Sequence, residues 1–257
     1  MLLENKTAVI TGSGSGIGRA VAQRLGQEGA HVVLLDNHEA HCLETAELIR
    51  AQGGSALPIV TDVTQREQVF DAARQAVEQF GRLHVWVNCA GYSKIVPFLE
   101  CTDEIWNKTM DINLRSCFLC CQAAVTYMDP TGGSIVNLSS ESGKKGTLWY
   151  EAYCASKFGI IGFTQALASE YAAQGIRVNA ICPGVVQTPM WDAQVADYAK
   201  KRGIKPEEVM PRFRKNIPMH RLCELEDVTN LVLFLVTAAS AYITGQALNL
   251  SGGNTMY

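Results

Sequence analysis

Short apolar runs alternate with longer amphipathic stretches along most of the chain. Runs rich in Val, Ile and Leu, such as residues 7–11 and 31–36, are typical of strands buried on both faces. The longer stretches repeat their apolar positions every three or four residues, which indicates helices that pack by one face. Because parallel strands need long crossover connections, this alternation predicts a parallel sheet with helices on both faces.

The predicted elements follow one another without a linker, an internal repeat or a low-complexity tract. Strands are expected at residues 7–11, 31–36, 56–60, 83–87, 133–140, 176–181 and 247–250. Helices are expected from Arg19 onward and at residues 38–52, 65–80, 102–128, 151–171 and 224–238. From about residue 190 to 218 the pattern loosens into short charged pieces, which is typical of a substrate lid. We therefore predict one α/β domain over residues 1–257, a doubly wound parallel sheet of the Rossmann type.

Composition narrows the classes of partner and location. The net charge of −3 gives no general electrostatic reason to bind nucleic acid. No apolar run reaches the roughly 18 residues that span a bilayer, and the N-terminus does not resemble a signal peptide, so a cytoplasmic location is expected. The nine cysteines are an odd number, which indicates reduced thiols. Cys117-x-x-Cys120 lies in an apolar helical stretch and is interpreted as core packing, so no metal site is expected.

A glycine-rich loop joins the first strand to the first helix. Gly12, Gly16 and Gly18 follow the strand directly, and a helix N-terminus behind a loop without side chains suits a pyrophosphate. The second strand ends in Asp36, whose carboxylate is placed to bind ribose hydroxyls and to repel a 2′-phosphate. The next residue, Asn37, is uncharged and offers no cation to bind a 2′-phosphate, so NAD is favoured over NADP. The alternative role for Asp36 is a helix cap.

The sequence Tyr153-x-x-x-Lys157 lies within a predicted helix and places a phenol and an ammonium on one face. An unperturbed tyrosine has a pKa near ~10, and proton exchange with an alcohol at neutral pH needs a pKa closer to ~7. That difference corresponds to roughly 4 kcal/mol. A cation about 4 Å away at an effective dielectric of about 20 would supply a similar amount. We therefore expect Lys157 to lower the pKa of Tyr153.

The motifs taken together resemble the short-chain dehydrogenase/reductase family, in the type with roughly 250 residues. The resemblance extends from Thr11 to Gly253. Its motifs are Thr11-Gly12-x-x-x-Gly16-Ile17-Gly18, Asp62-Val63, Asn88-x-Ala90-Gly91, Asn113, Ser140, Tyr153-x-x-x-Lys157, Pro183-Gly184 and Thr188-Pro189. One departure is Cys89, which stands where the family usually has Asn.

The resemblance implies a role for each matching position. Tyr153 corresponds to the general acid/base, and Lys157 to the group that lowers its pKa and holds the nicotinamide ribose. Ser140 corresponds to the hydroxyl that polarises the substrate oxygen, and Asn113 to the residue that seats a water in a proton relay. The implied cofactor-binding residues are Gly12, Ser15, Gly16, Ile17, Gly18, Asp36, Asp62, Val63, Asn88, Ala90, Gly91, Tyr153, Lys157, Pro183, Gly184, Val186 and Thr188. The family also implies a homotetramer, with the helices around Asn113 and Tyr153 packed between subunits.

The implied reaction is reversible hydride transfer between NAD and a secondary alcohol. Residues 153–165 and 188–191 look most like diol, acetoin and sugar-alcohol dehydrogenases of the family, so a polyol, vicinal diol or sugar is expected. The candidate substrate residues are Ser140, Glu141, Trp149, Tyr150, Glu151, Tyr153, Gln187, Met190 and Trp191. Trp149 and Trp191 are equally well explained as packing under the lid.

Three alternative functions stay open at this point. The charged lid permits an anionic substrate, phosphorylated or sulfonated, held by Arg212 or Arg214. A 3-oxoacyl-thioester reductase shares the implied fold, although Asp36 argues against the NADP that such enzymes mostly use. A non-catalytic NAD-binding protein would not need the full Asn, Ser, Tyr and Lys set.

Overall fold

Seven parallel strands form a single sheet, as the pattern of apolar runs predicts. The structure, a computed structural model, describes residues 1–128 and 132–257. The strand order is β3-β2-β1-β4-β5-β6-β7, and every neighbouring pair is parallel. The strands are β1 (Thr7–Thr11), β2 (His31–Asp36), β3 (Ser55–Val60), β4 (Val85–Asn88), β5 (Gly133–Leu138), β6 (Ile176–Pro183) and β7 (Ala247–Leu250).

Helices connect the strands and cover both faces of the sheet. They are α1 (Gly16–Gln27), α2 (Glu39–Ala51), α3 (Arg66–Phe80), α4 (Asp103–Met110), α5 (Ser116–Tyr127), α6 (Glu151–Tyr171), α7 (Pro189–Asp192), α8 (Val195–Arg202), α9 (Pro206–Asn216) and α10 (Leu225–Val236). The predicted helical segment over residues 102–128 is confirmed, with one addition. A π-helical turn, Asp111–Arg115, separates α4 from α5 and places Asn113 inside it.

Alternate side chains of each strand enter two apolar clusters, one on each side of the sheet. Ile10 of β1 packs with Leu25 of α1, while its neighbour Val9 packs in the cluster that contains Ala73 of α3. The first cluster also contains α2 and α10, and the second contains α5 and α6. Strands buried on both faces in this way explain why their sequences are continuous apolar runs rather than alternating ones.

Cys117 and Cys120 lie buried in the second cluster, with Cys121 beside them. Their thiols are enclosed by side chains of the strands and helices, which confirms the interpretation as core packing. In the described parts of the chain, no three His, Cys, Asp or Glu side chains are grouped so that they could hold a metal ion.

The direction of strand progression reverses between β1 and β4. Beyond β1 the chain moves outward to β2 and β3, and after β4 it moves the other way to β7. The loops that follow these two central strands therefore diverge and leave a crevice at their carboxyl ends, where ligands bind in open α/β sheets. Thr11, Asn88 and Leu138 are the last residues of β1, β4 and β5 at this edge.

The segment predicted as a lid folds into α7, α8 and α9. Its apolar side chains form a third cluster over the start of α6, which includes Tyr150, Tyr198 and Val209. This cluster is separate from the two sheet clusters, so the segment rests on the domain through its own small core. Across residues 1–128 and 132–257, no helix is long and apolar enough to cross a membrane.

Candidate active site

A cleft of about 970 Å³ opens at the carboxyl ends of the central strands. It brings together most of the residues that the sequence predicts for a cofactor and for catalysis. Those that line it are Gly12, Ser15, Gly16, Ile17, Gly18, Asp36, Asp62, Val63, Ala90, Gly91, Ser140, Tyr153, Lys157, Pro183, Gly184, Val186, Thr188 and Trp191. Asn88, Asn113, Glu141, Trp149, Gln187 and Arg214 do not line this cleft.

The glycine loop can only adopt its path because side chains are absent. A Cβ added to Gly18 would lie 2.0 Å from the carbonyl oxygen of Gly12, and one added to Gly12 would lie 2.8 Å from the Cα of Ala90. Gly12 also has a φ of +62°. Ser15 precedes α1, and its side chain does not cap the helix, so no side chain covers the amides of the first turn. This cradle fits the diphosphate of a dinucleotide.

Asp36 faces the glycine loop from the end of β2. Its Oδ2 accepts a hydrogen bond from the Gly14 amide at 2.8 Å, and its Oδ1 accepts one from the His38 amide at 2.9 Å. The nearby cation Arg19 donates to the Gly14 carbonyl at 2.9 Å and pairs with Glu44 at 2.6 Å. The carboxylate therefore lines the cleft with its negative charge uncompensated by Arg19. Asp36 is not the N-cap of α2: that residue is His38, and Asp36 binds its amide rather than an amide within the first turn of the helix.

Asp62 and Asn88 lie at strand ends but differ in what they face. Asp62 lines the cleft, and its Oδ1 accepts from both the amide and the hydroxyl of Thr64, at 2.9 Å and 2.7 Å. Asn88 instead turns into the sheet, where it donates to Asn137 at 2.8 Å and accepts from Trp86 at 2.8 Å. The side-chain amide of Asn88 thus joins β4 to β5, and the part of Asn88 in cofactor binding stays a prediction.

Tyr153 and Lys157 share one face of α6, as their spacing predicts. The Lys157 ammonium lies 5.5 Å from the centre of the Tyr153 ring and donates to the Leu138 carbonyl at 2.7 Å. Ser140 follows β5, with its hydroxyl within hydrogen-bonding reach of the Tyr153 phenol. Three groups from two elements, α6 and the loop after β5, thus converge at one place in the cleft.

The predicted lowering of the tyrosine pKa is absent from the protein alone. Burial raises the pKa of Tyr153 to about 12, although the hydrogen bond with Ser140 opposes this change. Burial also lowers the pKa of Lys157 to about 8, partly offset by the surrounding thiols of Cys117, Cys89 and Cys182. Desolvation disfavours the charged form of each group, and it is the largest cause of both shifts in pKa.

Asn113 is buried, with only 2% of its surface exposed. Its Oδ1 accepts from the Tyr92 amide at 2.7 Å, and its Nδ2 donates to the Tyr92 carbonyl and to the Ser156 hydroxyl, both at 2.9 Å. The π-helical turn presents this amide to the loop after β4, a placement that is frequent at functional sites. Asn113 therefore fixes that loop against α6, and its water relay stays a prediction.

A small chamber of about 100 Å³ extends from the cleft beside Tyr153 and Ser140. Glu141 lines this chamber, but its carboxylate accepts from Asn254, from the Thr255 hydroxyl at 2.8 Å and from Lys145. All three of these partners bind Oε1, so Oε2 has no partner among them. The role of Glu141 in binding substrate hydroxyls therefore stays a prediction, with Oε2 as the acceptor.

Three other predicted substrate residues lie away from both cavities. Trp149 packs in the cluster under the lid and has a φ of +62°. The other predicted tryptophan, Trp191, is not one of the three, because it lines both cavities. Gln187 and Arg214 are exposed, and neither lines a cavity. Arg214 lies near the end of α9, whose buried contact is made by Val209 instead. Trp149, Gln187 and Arg214 therefore line neither cavity, and their contacts with the substrate stay predictions.

Four chamber residues, Ser93, Ser142, Val185 and Gln194, were not singled out by the sequence analysis. Gln194, just before α8, and Ser93, in the loop after β4, line the chamber together with Tyr150, which the sequence did single out. No local pattern marks Gln194 or Ser93, because each is a single polar residue in an irregular segment. Their importance comes only from contacts with residues far away in sequence.

Comparisons with known proteins agree with this geometry. A family model described as "Enoyl-(Acyl carrier protein) reductase" matches residues 12–255. Galactitol 2-dehydrogenase from Agrobacterium fabrum is 36% identical over 258 residues, covering 100% of both chains. A structure of actinorhodin polyketide ketoreductase with NADPH superposes with a TM-score of 0.95 at 34% identity, covering 98% of each chain. NAD⁺-bound xylitol dehydrogenase superposes with a TM-score of 0.94 at 32% identity, covering 98% of this chain and 100% of its own.

These matches extend over nearly the whole chain, and they agree with a cleft that joins a dinucleotide cradle to a tyrosine, a lysine and a serine. The chain therefore belongs to the short-chain dehydrogenase/reductase family, which binds a nicotinamide cofactor, and its relatives support an oxidoreductase that acts on CH–OH groups.

Proposed function

We propose that this protein is an NAD-dependent dehydrogenase that interconverts a polyol, a vicinal diol or a sugar with the corresponding ketone. The observation that carries the proposal is the convergence of Tyr153, Ser140 and Lys157 where the cleft meets a small polar chamber. The alcohol carbon would lie at this junction, and the remainder of a small substrate would enter the chamber.

The residues have separable roles in the reaction. Ser140 donates a hydrogen bond to the substrate oxygen and holds it beside the Tyr153 phenol, which takes the hydroxyl proton during oxidation and returns it during reduction. A bound nicotinamide cofactor supplies the hydride acceptor or donor at the adjacent carbon. Lys157 holds a positive charge near the phenol, which favours the phenolate as the proton moves. Asn113 keeps the loop after β4 in place against α6.

Asp36 supports NAD rather than NADP. A 2′-phosphate would approach its carboxylate, and like charges about 4 Å apart repel by several kcal/mol at an effective dielectric of about 20. Arg19 does not offset this repulsion, because it is committed to Gly14 and Glu44. The relatives include both an NAD⁺-bound and an NADPH-bound enzyme, so the family alone does not decide cofactor choice, and Asp36 is the feature of this chain that supports NAD.

The polar chamber supports a hydroxylated substrate. Similarity to galactitol 2-dehydrogenase and to xylitol dehydrogenase points the same way. An anionic substrate has less support, because Arg212 and Arg214 are exposed and line neither cavity. A 3-oxoacyl-thioester reductase is the competing function, favoured by the match to the polyketide ketoreductase.

The test is a matrix of initial rates, monitored by nicotinamide absorbance. Sugar alcohols, vicinal diols and simple secondary alcohols are oxidised with NAD and with NADP, and an acetoacetyl thioester is reduced with NADH and with NADPH. We expect the highest kcat/KM with NAD and a hydroxylated substrate. A preference for the thioester with NADPH would reject the proposal in favour of the ketoreductase, and no activity in any combination would reject catalysis.

We also propose that the protein assembles as a homotetramer through α5 and α6. Phe118 is 40% exposed and packs edge-on against Phe163 of the neighbouring helix, with ring centres 6.4 Å apart. Phe158 on α6 is exposed as well. Cys117 and Cys121 of α5 are buried inside the subunit and do not contribute to this surface.

A further inference from the structure

Three polar side chains from distant parts of the sequence meet in the chamber beside Tyr153. The Gln194 Oε1 accepts a hydrogen bond from the Ser93 hydroxyl at 2.9 Å and another from the Tyr150 hydroxyl at 2.8 Å. The Gln194 Nε2 donates to the Met190 carbonyl at 2.8 Å. Gln194 is 4% exposed and Tyr150 is 7% exposed. We call these three residues, Ser93, Tyr150 and Gln194, the polar trio.

The polar trio keeps unused hydrogen-bonding capacity. A glutamine amide has two N–H donors, and only one of them is used, on Met190. The hydroxyl oxygens of Ser93 and Tyr150 each donate to Gln194 and retain their own acceptor lone pairs. All three side chains line the chamber. The wall therefore offers a donor and two acceptors, which is the set that a hydroxyl, itself both donor and acceptor, can satisfy.

The trio lies close to the reacting groups. The rings of Tyr150 and Tyr153 meet edge to face with their centres 5.3 Å apart, and Ser140 and Tyr153 line the same chamber. The chamber, of about 100 Å³, has room for more than one water-sized group, and thus for a hydroxyl-bearing carbon next to the reacting carbon.

The position of Tyr150 is fixed from its other side. The Lys201 ammonium lies over the ring of Tyr150 at 5.1 Å and over that of Tyr198 at 5.4 Å, and it also donates to the Leu148 carbonyl. Both Lys201 and Gln194 belong to the segment at and just before α8. The lid segment therefore holds Tyr150 of the polar trio in place through Lys201 and Gln194. In this position Tyr150 already lines the chamber.

We propose that Gln194, Tyr150 and Ser93 form a specificity-determining subsite that binds the hydroxyl on the carbon adjacent to the reacting carbon. This inference rests on the proposed function and narrows the substrate class to compounds with vicinal hydroxyls. A simple secondary alcohol reaches Tyr153 and Ser140 but leaves the subsite without a partner. An acyl thioester has no hydroxyl to place there.

The test compares matched pairs of substrates, each a vicinal diol or polyol and its analogue without the adjacent hydroxyl, beginning with 2,3-butanediol and 2-butanol. The ratio of kcat/KM within the best-oxidised pair is measured for the wild type, for Tyr150→Phe and for Gln194→Met. We expect each variant to lower the ratio about three- to tenfold, the effect of losing one hydrogen bond between neutral groups. Because both substrates are assayed on one preparation, a partly misfolded fraction cancels.

Tyr198→Phe is the matched control, since it removes a phenol of the same lid cluster whose nearest partner is Arg202, at 3.3 Å. Its ratio should equal that of the wild type. An equal loss on both members of the pair in Tyr150→Phe and Gln194→Met would mean a structural role and would overturn the subsite. A wild type that oxidises both members equally well would overturn the subsite and leave the proposed function standing. A wild type without activity on any pair, with NAD or NADP, would overturn both.

Discussion

Replacing Lys157 by methionine should abolish catalysis and yet make the protein without cofactor more stable at neutral pH. Lys157 is 3% exposed, and its burial lowers the pKa of the ammonium from 10.5 to about 8. A fall of that size means that burying the charged form of Lys157 lowers the free energy of unfolding by about 3 kcal/mol. Methionine has a similar length and no charge, so the variant avoids this cost.

The substitution also removes a hydrogen bond, and this loss opposes the gain in stability. The Lys157 ammonium donates to the Leu138 carbonyl at 2.7 Å, and a thioether cannot replace that donor. Leaving the carbonyl without this hydrogen bond costs about 1–2 kcal/mol. The net stabilisation of Lys157→Met at pH 7 is therefore about 1–2 kcal/mol. For a chain of this size, that corresponds to a rise in Tm of about 2–8 °C.

The pH dependence provides a second measurement with a defined sign. Below pH 8, Lys157 is charged in both the folded and the unfolded protein, so the full cost is present. Between about pH 8 and 10.5 the folded protein releases its proton before the unfolded chain does, so the wild type gains stability relative to the variant. At pH 9.5 the cost of burying Lys157 has fallen to about 1 kcal/mol. This is about as large as the cost of the hydrogen bond that the variant lacks, so the difference in Tm between the two proteins should be close to zero.

The assay is thermal unfolding of both proteins at equal concentration, without cofactor, at pH 7.0 and pH 9.5. Lys94→Met is the control, because Lys94 is largely exposed and pairs with Asp197 at 2.9 Å, which raises its pKa. This variant should lose a little stability, or none, at both pH values. A lower Tm for Lys157→Met at pH 7.0, or a gain that persists unchanged at pH 9.5, would refute the reasoning.

Three further outcomes are expected. Tyr153→Phe should lower kcat by about 10²–10⁴ while leaving the Kd for NADH, measured by fluorescence titration, within a few-fold of the wild type; unchanged turnover would remove Tyr153 from the mechanism. Asp36→Ala should raise the ratio of kcat/KM for NADP over NAD by about a hundredfold, because it removes a like charge from the 2′-phosphate position; Glu44→Ala, at the neighbouring but exposed acid, should change it far less. Phe118→Ser should shift the molar mass measured by light scattering below that of a tetramer, and an unchanged mass would place the interface elsewhere.

Much of the fold follows from the sequence because its determinants are local. The runs at residues 7–11 and 31–36 form strands with the predicted bounds. The helix over residues 151–171 also has the bounds that the sequence predicts. A strand buried on both faces needs an unbroken apolar run, and a helix needs its apolar positions at a spacing of three or four. The same spacing places Tyr153 and Lys157 on one face, and the glycine loop follows from the fixed order of strand, turn and helix.

The tertiary structure decided what depends on contacts between distant residues. Ser93, Tyr150 and Gln194 form one cluster only because the loop after β4, the start of α6 and the lid converge. The Glu141 Oε1 accepts from Asn254 and Thr255, more than a hundred residues away. No local pattern encodes such pairings.

The pKa values of the catalytic pair are decided in the same way. Spacing along α6 indicates that Lys157 lies beside Tyr153, and on that ground the sequence predicts a lowered tyrosine pKa. The structure gives a raised one, because burial acts on each group through everything that encloses it. Sequence determined which groups meet in this protein, and the folded interior determined how strongly each of them holds its proton.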